Sequence, residues 1–84
     1  NPETAISYAI PERGWVTVNV YNLLGQKVVT LENSRQAAGV YTLHWNGRDA
    51  FGTQVSSGIY LVKIQVKNSK GVAFQRVKKM TLMK

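Results

Sequence analysis

Apolar and polar residues alternate along this chain in short runs that return roughly every ten to twelve residues, each broken by glycine, asparagine or proline. Successive side chains of a β-strand point to opposite faces, so alternation places one set toward a core and the other toward water. The clearest run is 15–21, where Val16, Val18 and Val20 take the core side and Thr17 and Asn19 the solvent side. The run 4–10 puts Ile6, Tyr8 and Ile10 on one face and ends at Pro11, which suits a first edge strand because proline cannot donate to a ladder. Residues 59–66 alternate again, with Tyr60, Val62, Ile64 and Val66 inward and Lys63 and Gln65 outward.

The segments between these runs predict turns. Asn22-Leu23-Leu24-Gly25 reads as a tight reversal with Gly25 at positive φ, and 26–32 as the returning strand of a hairpin. Residues 33–39 are small and polar and predict a loop, after which Tyr41, Leu43 and Trp45 share one strand face and Thr42 and His44 the other. From Asn46-Gly47 to Ser57 the chain is rich in Gly, Asp, Asn and Ser, which predicts a long connection with at most a short strand at Val55. Asn68-Ser69-Lys70-Gly71 turns the chain into a last run, 72–82. Its apolar phase shifts where Arg76, Lys78 and Lys79 intervene, and a bulge near Val77 would account for that.

Six or seven strands with no competing helical period predict an all-β chain. Antiparallel strands of this length cannot bury both faces in one sheet, so they divide into two that pack together. The expected architecture is an immunoglobulin/fibronectin-III-like antiparallel β-sandwich of about seven strands, with residues 1–84 as a single domain. Because it opens at Asn1-Pro2 rather than at methionine, it is expected to be a module of a longer protein.

Composition narrows the chemistry. With no cysteine, neither a disulfide nor a thiolate metal site holds the fold together, and no apolar run approaches the roughly 18 residues of a membrane-spanning helix. Eleven Lys and Arg against four Asp and Glu give a net charge of +7, which raises anionic partners. The cations are scattered along the sequence, however, with one cluster of Arg76, Lys78, Lys79 and Lys84 near the end, and neither a basic face bearing exposed aromatics nor a groove-entering element can be placed. Nucleic acid is therefore not expected as a partner.

The four acids, Glu3, Glu12, Glu32 and Asp49, lie far apart in sequence and do not suggest a carboxylate pair. His44 is the only histidine and has no positioned nucleophile to activate, and the stretch 46–52 offers one carboxylate where a calcium loop needs several. No catalytic, cofactor-binding or metal-ligating set is expected, and the chain reads as a non-enzyme. Of the aromatic residues, Trp45, Tyr41 and Tyr60 fall on inward faces, leaving Trp15 and Tyr21 as candidate glycan contacts.

Several blocks carry a family resemblance: Asn1-Pro2 with Thr4-Ala5-Ile6, Tyr21-Asn22-Leu23-Leu24-Gly25-Gln26-Lys27-Val28, Trp45-Asn46-Gly47-Arg48-Asp49-Ala50-Phe51-Gly52, Val55-Ser56-Ser57-Gly58-Ile59-Tyr60 and the closing Lys79-Met80-Thr81-Leu82-Met83-Lys84. In this order they resemble the immunoglobulin-like domain of flagellar hook-capping proteins and the related C-terminal sorting domains of type IX secretion substrates. The sorting branch implies an address that outer-membrane secretion machinery reads to pass an upstream cargo domain, through the periplasm, to the cell surface or medium. A sortase-like protease would be a further partner. By motif position, recognition by the translocon would fall on Gly58, Tyr60, Lys78, Lys79, Met80, Leu82 and Lys84. The alternative is a structural or carbohydrate-contacting accessory sandwich of a secreted protein.

Overall fold

The computed structural model describes residues 3–83, which form β1 (Thr4–Ile10), β2 (Gly14–Tyr21), β3 (Lys27–Gln36), β4 (Gly39–Trp45), β5 (Gly58–Asn68) and β6 (Gly71–Leu82). The strands are antiparallel and divide into a two-stranded sheet, β1-β4, and a four-stranded sheet in the order β3-β2-β5-β6. Asn1 and Pro2, which begin the resemblance, and Lys84 lie outside the described residues.

Both sheets contribute to one core. Ile6, Tyr8, Ile10 and Trp45 come from the two-stranded sheet, and Val16, Val18, Val20, Tyr60, Val62, Ile64, Val66 and Leu82 from the four-stranded one. The alternation of β2 and β5 thus becomes a slab of apolar side chains, each of which contributes about 1.5–3 kcal/mol by leaving water. The result is an immunoglobulin-like β-sandwich with six strands among the described residues. The segment at Val55, which could have made a further strand, is reduced to an isolated bridge between Arg48 and Gln54.

Two strands depart from the alternating pattern. β3 runs on through Asn33, Ser34, Arg35 and Gln36, where the polar composition predicts a loop. These residues pair with β2, and their side chains find partners: Trp15 Nε1 donates to Asn33 Oδ1 (2.6 Å) and Tyr8 Oη to Gln36 Oε1 (2.9 Å). Lower in the same strand the register skips Leu31 and Val28, and both pack on the core. A bulge leaves one residue without a cross-strand partner and re-aims the chain, so the run Val28-Val29-Thr30-Leu31 buries apolar side chains that strict alternation would split.

The register of β6 is continuous from Phe74 opposite Val66 to Leu82 opposite Gly58, so the bulge expected near Val77 is absent. The shift lies between Val66 and Lys67, where Ala73 is passed over. Arg76 and Lys78 therefore share the inward side with Phe74, Met80 and Leu82. An edge strand tolerates this because two strands cannot cover four, and Lys78 sends its ammonium along the apolar seam to the carbonyl oxygen of Ser7 on β1 (2.5 Å).

Candidate interaction site

The acids each serve a local contact. Glu3 Oε1 lies 3.2 Å from His44 Nδ1 on the exposed side of the two-stranded sheet, Glu12 accepts from Asn68 Nδ2 (2.8 Å), and Glu32 accepts from Ser34 Oγ. Among the described residues no three His, Cys, Asp or Glu side chains come together as metal ligands would. Asp49, the remaining acid, holds a turn.

That turn has a counterpart. In Asn22-Leu23-Leu24-Gly25-Gln26, the Asn22 carbonyl accepts from Gly25 N (3.0 Å) and Asn22 N donates to the Gln26 carbonyl (3.0 Å). The side-chain Oδ1 of Asn22 accepts from Leu24 N and Gln26 N, both at 3.0 Å. In Asp49-Ala50-Phe51-Gly52-Thr53, the Asp49 carbonyl accepts from Gly52 N (3.0 Å) and Asp49 N donates to the Thr53 carbonyl (2.9 Å). Its Oδ1 accepts from Phe51 N and Thr53 N, both at 2.9 Å. Gly25 and Gly52 close the two turns at φ 84° and 83°, a left-handed conformation in which a β-carbon costs roughly 1–2 kcal/mol.

Two loops distant in sequence therefore share one hydrogen-bonded frame, and they meet at the same end of the sandwich, where Ala50 N donates to the Val28 carbonyl (3.1 Å). The base of the second loop is fixed as well: Val55 N donates to the Gly47 carbonyl (2.9 Å) and Arg48 Nη1 to the Gly52 carbonyl (2.8 Å). With both backbones satisfied, the central side chains point into water. Leu23 is 65% exposed, Leu24 84% and Phe51 93%. Lys27 and Asp49 lie beside Phe51 at the shallow hollow between the loops. In the sequence these stretches predict turns and a connection; the signal for a surface role is the large apolar side chains at the centre of glycine-closed turns, where the core cannot use them.

The residues singled out for recognition along the last two strands are brought together by the β5–β6 register, which sets Gly58 opposite Leu82 and Tyr60 opposite Met80. Tyr60 and Leu82 are buried in the core and Met80 packs against it, Lys78 reaches Ser7, and Lys79 faces outward. Lys84 lies outside the described residues. Trp15 and Tyr21 sit near opposite ends of β2 on the outer side of the four-stranded sheet, Trp15 46% exposed with its indole N–H engaged, and Tyr21 half-buried with its hydroxyl accepting from Asn19 Nδ2 (3.3 Å).

The FlgD Ig-like domain family model matches residues 4–70. Among solved structures, FlgD from P. aeruginosa is 26% identical with a TM-score of 0.79, over 94% of this chain and 60% of that one. FlgD from Xanthomonas campestris, whose structure is described as giving insights into the hook capping essential for flagellar assembly, has a TM-score of 0.70 over 96% of this chain and 56% of that one; its 22% identity carries the fold alone. No curated protein matches. The chain thus spans 60% of the one solved FlgD chain and 56% of the other.

These matches keep the hook-capping side of the resemblance and overturn the sorting side. The expected type IX sorting function gives way to the FlgD assignment, and with it go the outer-membrane secretion machinery and the sortase-like protease as partners and the secreted or cell-surface location. The accessory sandwich of a secreted protein is not what the chain matches either.

Proposed function

The chain belongs to the FlgD Ig-like domain family, and from that premise we propose that it is a non-catalytic structural module of a hook-capping protein, acting at the flagellar hook as one folded unit. The observation that carries this reading is the pair of matched turns. They hold Leu23, Leu24 and Phe51 in water on a hydrogen-bonded frame. A turn backbone already ordered before association loses little freedom on docking, and a large aromatic at the centre of a patch is a common anchor of protein interfaces. The four acids and the single histidine are engaged in turns, strand contacts and one exposed pair, which fits a scaffold better than a catalyst.

The test is a chimera of P. aeruginosa FlgD in which this chain replaces the matching domain, scored for swimming in cells lacking their own FlgD. The reading expects the chimera to restore motility and the Leu24→Ser/Phe51→Ser version, equally folded, to fail. Restoration by both would remove the tip formed by the two turns from the function. Failure of a folded, stably produced wild-type chimera would remove the hook-capping role.

A further inference from the structure

The cations that look scattered in sequence gather on one surface. Residues of β2, β3, β5 and β6 that point away from the core follow from the register: Trp15 lies between Arg35 and Lys67, Asn19 is paired with Lys63, and Tyr21 lies between Lys27 and Leu61. On β6, Val72 stands opposite Lys67, Val77 opposite Lys63, and Lys79 opposite Leu61. Lys27, Arg35, Lys63, Lys67 and Lys79 thus share the outer face of the four-stranded sheet.

Among the described residues no carboxylate shares it. Glu3 lies on the other sheet against His44, Glu32 stands opposite the core residue Val18, and Asp49 is in its turn. Glu12, in the β1–β2 connection, is held by Asn68 at the end of the sheet. Among the described residues none of the five cations has an ion-pair partner. Unpaired like charges on one sheet repel, so the face gains from an acidic partner and steers one toward it.

The apolar residues between the cations specify the kind of partner. Val72 and Val77 are each 54% exposed and stand directly across from Lys67 and Lys63, so aliphatic and cationic positions interleave. Valines bury aliphatic surface and do not stack on bases. The two aromatics of the face are six positions apart on β2, roughly 20 Å along the strand, too far to take neighbouring bases. We propose that the outer face of the four-stranded sheet, centred on Lys63, Lys67, Val72 and Val77, docks an acidic protein segment in which carboxylates alternate with aliphatic side chains. The centre of this surface lies on β5 and β6, with Lys27 at its border with the turn-borne tip, and the proposal does not depend on the role assigned to that tip.

Trp15 reports on binding, because it is the exposed tryptophan and Trp45 is buried. The 84-residue chain is titrated, with Trp emission as readout, against a short peptide alternating Glu and Leu, an equal-charge peptide alternating Glu and Ser, and a single-stranded oligonucleotide of equal charge. The Glu-Leu peptide is expected to bind about tenfold more tightly than the Glu-Ser peptide, the worth of one to two buried methylenes, and more tightly than the oligonucleotide. Lys63→Glu/Lys67→Glu is expected to weaken it about tenfold or more, with the melting temperature checked, and Lys63→Gln/Lys67→Gln to weaken it less in the same direction. Undiminished binding by folded variants, equal binding of the two peptides, or tighter binding of the oligonucleotide would each overturn the proposal.

Discussion

Trp45 of the two-stranded sheet and Tyr60 of the four-stranded sheet meet edge to face across the core, ring centroids 5.1 Å apart and planes at 75°. Each sends its polar end to a carbonyl of the loop between them, Trp45 Nε1 to Arg48 (2.9 Å) and Tyr60 Oη to Ser56 (2.6 Å). The pair ties the two sheets together and fixes the base of the loop that carries Phe51.

Tyr60→Phe keeps the ring contact and deletes one hydrogen bond, so it should cost about 1 kcal/mol. Trp45→Ala also opens a cavity and should cost about 3–5 kcal/mol. Urea unfolding of the two variants measures the difference. In Tyr60→Phe the Phe51 and Thr53 amides, which depend on the loop frame, should exchange with deuterium faster than the β2 amides do.

The turns and the side chains they display should separate energetically. Asn22→Ala and Asp49→Ala each remove an acceptor of two backbone N–H groups and should destabilise by about 1 kcal/mol or more. Gly52→Ala should cost about 1–2 kcal/mol through its left-handed φ. Leu24→Ser and Phe51→Ser should change stability by less than about 0.5 kcal/mol, because both side chains stand in water. Thermal melts of the five variants test the contrast.

Burial, the largest influence, raises the Tyr8 phenol above its usual value near 10.0. The folded state therefore keeps its proton at a pH where the unfolded chain has released it. The stabilisation is fully present below about pH 10 and is lost as pH climbs from there through the folded-state value. Wild-type stability should fall over that alkaline window more steeply than that of Tyr8→Phe, measured as unfolding free energy against pH.

Burial was legible wherever a strand runs through the middle of a sheet. Val16, Val18 and Val20, and likewise Val62, Ile64 and Val66, alternate because they have a sheet on one side and water on the other. It was not legible at the edges. β3 closes with polar residues whose strand conformation comes from pairing with β2, and its bulges at Leu31 and Val28 break the two-residue period. The inward cations of β6 imitate a phase change, although its register is continuous there. The tip and the cationic face each bring together residues far apart in the chain, the first through the contact between two loops and the second through cross-strand register. Asp49 and Asn22 are separated in sequence, as are Arg35 and Lys67, and pattern along a single strand does not reveal such neighbours.

The central claim, that the paired turns are the docking tip, is tested most directly by a photo-crosslinking amino acid placed at Phe51 in the P. aeruginosa FlgD chimera during flagellar assembly, with Thr42, exposed on the two-stranded sheet, as the control position. The account predicts crosslinks to neighbouring protein subunits from position 51 that disappear when Leu24→Ser is added, and few from position 42. Equal crosslinking from both positions, or none from position 51 in cells that complete their hooks, would contradict it.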